Sequence, residues 1–174
     1  RGPRILGEDF SGTAALSRAW VSSVDGGHAS AVDHDAEGRA RAQGYEGLSA
    51  ILGDVRTSTS ATLHPADVIF AGNFSVGELH TRRALVEYLR HARARLKPQG
   101  VFVCDTYGGA SAFRIGAVER SHPTLDGARI RYTWEQQSAD PTTAEVVNAL
   151  HFRVERGGEI VQEIADAFVY RWRL

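Results

Sequence analysis

Arg4-Ile-Leu-Gly-Glu-Asp-Phe-Ser-Gly-Thr-Ala-Ala-Leu-Ser-Arg-Ala-Trp20 decides the fold. A short apolar run is ended by Glu8, the chain breaks at Phe10-Ser11-Gly12-Thr13, and an alanine- and leucine-rich helical segment follows. This reads as a strand, a tight turn and a helix. Gly12 lets a ligand approach the turn without a Cβ in the way. The helix N-terminus presents unpaired N–H groups to a polar or anionic group. The helix is expected from Ala14 to Val24, with Leu16, Ala19 and Trp20 on its apolar face.

Working outward, Ala29-Ser-Ala-Val-Asp33-His34-Asp35 carries a second apolar strand, His28 to Asp33, ending in carboxylates. A carboxylate at that tip grips a ribose diol in doubly wound α/β folds. A short helix from Ala36 to Gln43 stops at Gly44, and a third strand, Leu48 to Leu52, ends in Gly53-Asp54-Val55-Arg56. Thr57 to Ser60 reads as a loop, with His64-Pro65 leading to the next strand. The fourth strand, Ala66 to Ala71, breaks at Gly72-Asn73-Phe74-Ser75. A helix follows from Thr81 to Leu96, with an apolar stripe of Leu85, Tyr88, Leu89, Ala92 and Leu96. Lys97-Pro98-Gln99-Gly100 stops it. A continuous apolar fifth strand, Val101 to Asp105, is expected to be buried on both faces.

Beyond Gly109 the pattern changes to polar–apolar alternation. Strands are expected over 128–137, 144–155 and 159–172, the last two joined by a hairpin turn at Arg156-Gly157-Gly158. The expectation is an α/β fold in two parts. Residues 1–109 form a Rossmann-like doubly wound sheet of order 3-2-1-4-5, its crevice at the switch point between strands 1 and 4. Residues 110–174 add an antiparallel strand set to the same domain.

The chain has 174 residues, 43% of them hydrophobic, and a formal net charge of -1, which makes no bulk electrostatic case for nucleic acid or an anionic membrane. Cys104 is the single cysteine, so no internal disulfide forms and a reducing, cytoplasmic setting is expected. No stretch reaches the length of a membrane span, and no signal peptide is read before the first strand. Methionine is absent throughout, from which a processed chain, or one lacking flanking segments, is expected.

In a parallel sheet the turns after all five strands lie on one edge, so Glu8 to Thr13, Asp33 to Asp35, Gly53 to Arg56, Gly72 to Ser75 and Asp105 to Gly109 converge there. Over Ile5 to Gly109 the chain resembles the class I S-adenosylmethionine-dependent methyltransferases. Ile5-Leu-Gly-Glu8-Asp-Phe-Ser-Gly12-Thr13 is similar to that family's first motif, Ala31-Val-Asp33-His34-Asp35 to its second, Gly53-Asp54-Val55-Arg56 to its third, and Asp67 to Ser75 to its fourth. Leu96-Lys-Pro-Gln-Gly100 resembles the turn before the family's fifth strand. The first motif usually carries three glycines, and here Phe10 and Ala14 stand at the outer two positions.

The resemblance implies S-adenosylmethionine as cofactor, with Asp33 at the ribose, Asp54 and Val55 at the adenine, and His34 among the cofactor contacts. Glu8 and Asn73 fall on the amino-acid side, and Phe10, Gly12, Thr13, Phe74 and Ser75 complete the cofactor contacts. A methyl group would pass to a nitrogen or oxygen of a small molecule, chiefly through proximity and alignment. No catalytic residue is identified; Asp105 and Tyr107 are the candidates for lining the acceptor side. No metal is implied. Cys104, mid-strand in an apolar run, reads as a buried hydrophobe rather than a nucleophile. The antiparallel segment, with His122, Tyr132, Trp134, His151, Tyr170 and Trp172, resembles a substrate-covering insertion.

Three alternatives stand beside this reading. A nicotinamide-dependent oxidoreductase would use Asp33 equally well, but the first turn lacks Gly-x-Gly-x-x-Gly. A catalytically inactive, methyltransferase-like binding module is supported by Phe10 and Ala14. An RNA methyltransferase would use Arg82, Arg83, Arg90, Arg93 and Arg95, against which the near-neutral charge argues.

Overall fold

The computed structural model describes residues 2–58 and 65–174. The chain divides into two compact units, Arg1–Thr106 and Tyr107–Leu174. The first unit contains strands β1 (Ile5–Asp9), β2 (His28–Asp33), β3 (Leu48–Leu52), β4 (Ala66–Ala71) and β5 (Leu96–Cys104). Helices α1 (Ala15–Ser23), α2 (Ala36–Arg41) and α3 (Arg82–Arg95) connect them. All pairings are parallel and the order is β3-β2-β1-β4-β5, as the alternation predicts. The chain runs outward from β1 to β2 and β3, then crosses back to β4 on the other side of β1, and this reversal opens the crevice at the C-terminal ends of β1 and β4. In the segment expected as a loop after β3, Thr57 and Ser58 lie in the turn that follows Asp54, whereas Thr59, Ser60 and His64 are outside the described residues.

Helix α1 turns a different face inward from the one its large residues suggest. Ser17 is fully buried, Leu16 is 37% exposed and Ala19 is exposed. The inward line runs through Ala14, Ser17 and Val21, small residues that let the helix sit close over the sheet. In α3 the helical phase is as expected at Tyr88 and Ala92, while Leu89 lies outside the stripe at 40% exposure. The Thr81 hydroxyl caps α3 by accepting from the Ala84 N–H at 3.1 Å.

Strand β5 departs from expectation twice. It begins at Leu96, so Lys97-Pro98-Gln99-Gly100 belongs to the strand, with a register irregularity opposite Ala66–Val68. As an edge strand within this unit it also leaves Val101 and Val103 exposed at 53% and 42%, rather than buried on both faces. Cys104 is exposed for the same reason and is not a core hydrophobe. Its thiol pKa is raised, first by desolvation and then by the charge of Asp105, which disfavours the thiolate a nucleophile needs.

The second unit is an antiparallel sheet of order β6-β7-β8-β9: β6 (Gly116–Pro123), β7 (Arg129–Asp140), β8 (Glu145–Arg156) and β9 (Glu159–Arg173). Strand β6 has no counterpart in the sequence reading, because all its residues are exposed and no alternation marks it. Gly157 and Gly158 adopt φ of 57° and 86°, the paired positive values of a primed hairpin turn. The buried Gln136 organises this unit. Its amide donates to the carbonyls of Ala112 and Arg114 at 2.7 and 2.9 Å, and its oxygen accepts from Tyr107 Oη at 2.9 Å. Among the described residues, no helix is long and apolar enough to cross a membrane.

Candidate functional site

The turn after β1 is built from left-handed residues. Phe10, Gly12 and Ala14 have φ of 55°, 50° and 55°, an alternation that suits glycine at all three positions and meets it at one. Asp33 ties this turn to the tip of β2. Its Oδ2 accepts from the Gly12 N–H at 2.7 Å, and its Oδ1 from the Asp35 N–H at 2.8 Å. Asp35 in turn caps α2 by accepting from the N–H groups of Glu37 and Gly38. A Cβ at Gly38 would lie 2.5 Å from the Gly12 carbonyl oxygen, so this glycine permits the first helix turn to press against the loop.

Glu8 is buried and accepts from the Ser17 N–H at 2.7 Å, capping α1 from a neighbouring strand. The helix's own cap position, Ala14, has no side chain able to do so. Burial raises the Glu8 pKa, opposed by its hydrogen bonds from Ser17. Asp54 is engaged by Arg56: it accepts the Arg56 backbone N–H at 2.8 Å and its Nε at 3.0 Å on both oxygens. That hydrogen-bonded guanidinium lowers the Asp54 pKa. Asn73 and Phe74 are left-handed, with φ of 56° and 61°, and donate their N–H groups to Asp105 at 3.2 and 2.8 Å. Asp105 is therefore an anchor for the turn after β4. Tyr107 belongs to the second unit, where its hydroxyl donates to Gln136 and desolvation raises its pKa.

A cavity of about 400 Å³ opens beside these turns, within the ~300–1,000 Å³ range of small-molecule sites. Phe10, Asp33, His34, Asp54 and Val55 from the sequence-derived set line it. Glu8, Gly12, Thr13, Asn73, Phe74 and Ser75 lie outside its lining, although Gly12 is bonded directly to Asp33. Arg56, from the Gly53–Arg56 turn expected at this edge, also lines it, and a wall from Glu78 to Thr81, with Ala84, was not anticipated. Glu78 ends a short 3-10 turn, Ser75–Glu78, that has no periodic signal; only its position after the fourth strand could have pointed to it. Burial raises the Glu78 pKa; the Asp33 charge adds to this, while His34 and His80 oppose it. Among the described residues, no group of three or more His, Cys, Asp or Glu could hold a metal ion.

No protein-family model matches the sequence, and no curated protein does. Solved structures do resemble it. DesVI from Streptomyces venezuelae matches with a TM-score of 0.81 at 18% identity, covering 99% of this chain and 70% of that one. CalS10, an amino pentose methyltransferase from Micromonospora echinaspora solved with bound S-adenosylmethionine, matches with a TM-score of 0.78 at 17% identity, over 99% and 69%. The sugar N-methyltransferase KedS8 from Streptoalloteichus sp ATCC 53650 matches with a TM-score of 0.76 at 15% identity, over 99% and 66%. The chain thus spans about two thirds of the length of these proteins. At such identities the likeness is one of fold, and the fold is that of S-adenosylmethionine-dependent methyltransferases.

Proposed function

We propose that the chain belongs to a class I S-adenosylmethionine-dependent methyltransferase that methylates a nitrogen or oxygen of a small molecule. The observation that carries this reading is Asp33. It stands at the tip of β2, bonded to the Gly12 turn, and lines a cavity sized for a small molecule. A carboxylate there suits a ribose diol. The cavity's carboxylates, Asp33, Asp54 and Glu78, outnumber its arginine, Arg56, which is already paired with Asp54. This balance suits a nucleoside attached to a cationic group better than a polyphosphate.

Bound S-adenosylmethionine supplies an electrophilic methyl group on a sulfonium. Asp33 accepts from the ribose, Val55 and Phe10 supply apolar walls, and the backbone bonds to Asp33 at 2.7 and 2.8 Å fix its orientation. Asp54 borders the adenine side, His34 lines the same cavity, and Glu8 holds α1 in place beneath the turn. Asp105 and the backbone of Asn73 and Phe74 form a rigid corner at the end of β4. A base is needed only if the acceptor must lose a proton. Tyr107 and Asp105 are both committed to internal hydrogen bonds.

We assign acceptor recognition to the antiparallel unit, with its aromatic side chains Trp134, Tyr170 and Trp172. The stated activities of KedS8 and CalS10 support an amine on a sugar as the acceptor class. Cys104, the only cysteine, supports a reducing, cytoplasmic setting. The RNA reading loses Arg95, whose side chain is 11% exposed and paired with Asp9.

Calorimetric titration with S-adenosylhomocysteine tests the proposal, with Asp33→Ala and NAD as comparisons. Micromolar binding that is lost in the variant, with none to NAD, supports it. A folded chain that does not bind S-adenosylhomocysteine overturns it in favour of a binding module.

A further inference from the structure

Two hydroxyl groups of a ribose need acceptors, and Asp33 comes to them partly used. Each of its oxygens already accepts one backbone N–H, from Gly12 at 2.7 Å and from Asp35 at 2.8 Å. Each oxygen therefore keeps about one lone-pair direction for a ligand. Asp54, the next carboxylate of the lining, is held by Arg56.

Glu78 differs from both. It lines the same cavity, and among the described residues its side chain accepts no hydrogen bond, caps no helix and forms no ion pair. A partly buried carboxyl without a partner is unfavourable, and a ligand hydroxyl would supply what it lacks. Burial, with the nearby Asp33 charge, raises its pKa against the opposing effect of His34 and His80.

We propose that Glu78 is a second ribose-binding residue that also sets the ligand class, admitting a nucleoside with a free diol and rejecting one phosphorylated there. A phosphate on the diol would meet Asp33 and Glu78 together. Among the described lining residues, the arginine that could offset it, Arg56, is committed to Asp54. Repulsion built into a site in this way discriminates more sharply than added attraction. The inference rests on the reading that this cavity takes the nucleoside half of S-adenosylmethionine.

The test compares native chain with Glu78→Gln by calorimetry, using S-adenosylhomocysteine, adenosine and adenosine 2′-monophosphate. Glutamine keeps the size and removes the charge. Native chain is expected to bind adenosine about 100-fold more tightly than its 2′-phosphate, since two nearby like charges cost a few kcal/mol. In Glu78→Gln, S-adenosylhomocysteine binding should weaken about tenfold and the phosphate discrimination should narrow about tenfold. The thermal midpoint of the variant is measured alongside. Glu78→Asp, which keeps the charge on a shorter stem, should retain the discrimination and lose affinity. Equal binding of all three ligands by native chain and a folded Glu78→Gln overturns the inference while leaving the methyltransferase reading intact. If native chain binds neither S-adenosylhomocysteine nor adenosine, that reading falls and this inference falls with it.

Discussion

Tyr88 Oη donates to the Asp9 carboxylate at 2.9 Å, and neither residue exposes more than 1% of its surface. Arg95 bonds the other Asp9 oxygen at 3.0 Å, so the end of β1 is tied across the sheet to α3. The Tyr88 ring packs edge-on against Phe10 at 5.6 Å and Phe102 at 5.9 Å. Burial and the Asp9 charge raise the Tyr88 pKa far above its ordinary value, so it remains a donor at any working pH.

Breaking this buried group should cost more than replacing it. Asp9→Leu alone strands the Arg95 charge and should destabilise by about 3–5 kcal/mol. Tyr88→Phe leaves Asp9 one donor short and should cost about 1–3 kcal/mol. The triple replacement Asp9→Leu, Tyr88→Phe, Arg95→Met should recover most of the loss. Urea denaturation of the native chain and these three variants measures this; a triple variant weaker than Asp9→Leu would contradict it.

The left-handed turn predicts unequal costs at two nearby positions. Gly12 has φ of 50° and open space where a Cβ would stand, so Gly12→Ala should cost about 1 kcal/mol from backbone strain alone. Ala14 has φ of 55° but a fully buried methyl packed with Ala31 and Ala42, so in Ala14→Gly the relieved strain is offset by glycine's entropy and the lost burial, and the net change should stay within about 0.5 kcal/mol. A thermal midpoint that falls further in Ala14→Gly than in Gly12→Ala would contradict the account.

Asp105→Ala removes the acceptor that holds the Asn73 and Phe74 N–H groups. Because Asp105 is exposed, the expected loss is about 1 kcal/mol, or about 2–4 °C in a scanning calorimeter. Asp105→Asn keeps one acceptor oxygen and should lose about half as much. An Asp105→Ala chain with an unchanged midpoint would show that the turn holds its left-handed shape unaided.

Asp67 gives the acid response a specific source. Lys97 Nζ bonds its carboxylate at 2.8 Å, and the Arg4 and Ile5 N–H groups add two further bonds. Led by Lys97, these hold its pKa down to about 2 from 3.8. A depressed carboxylate pKa contributes stability that is present above 3.8 and lost as pH falls through about 2. Asp67→Asn should flatten the midpoint-versus-pH curve in that window. A slope there identical to that of the native chain would rule out Asp67 as its source.

The parallel sheet was legible because its signals are local: β2, β3 and β4 are short apolar runs bounded by glycine or carboxylates, and their ends were found to the residue. Asp33, Asp54 and Phe10 were legible as candidates for the cavity lining because they stand at or just beyond the C-terminal ends of β2, β3 and β1. What was hidden depends on contacts distant in sequence. Asp9 and Arg95 are 86 positions apart, and nothing local marks either as a buried partner. The inward line of α1 uses small residues, which a search for large apolar side chains passes over. Glu78 becomes visible only when the segment after β4 folds beside the β2 and β3 tips.

The first turn keeps the backbone path of a three-glycine loop with one glycine in it. Its curvature is imposed from outside, by Asp33 clasping Gly12, by Gly38 making room, and by Phe10 leaning on Tyr88. Letter and shape have therefore come apart here. A turn braced from outside in this way does not depend on glycine at each left-handed position, so its contour is a property of the surrounding residues as much as of its own.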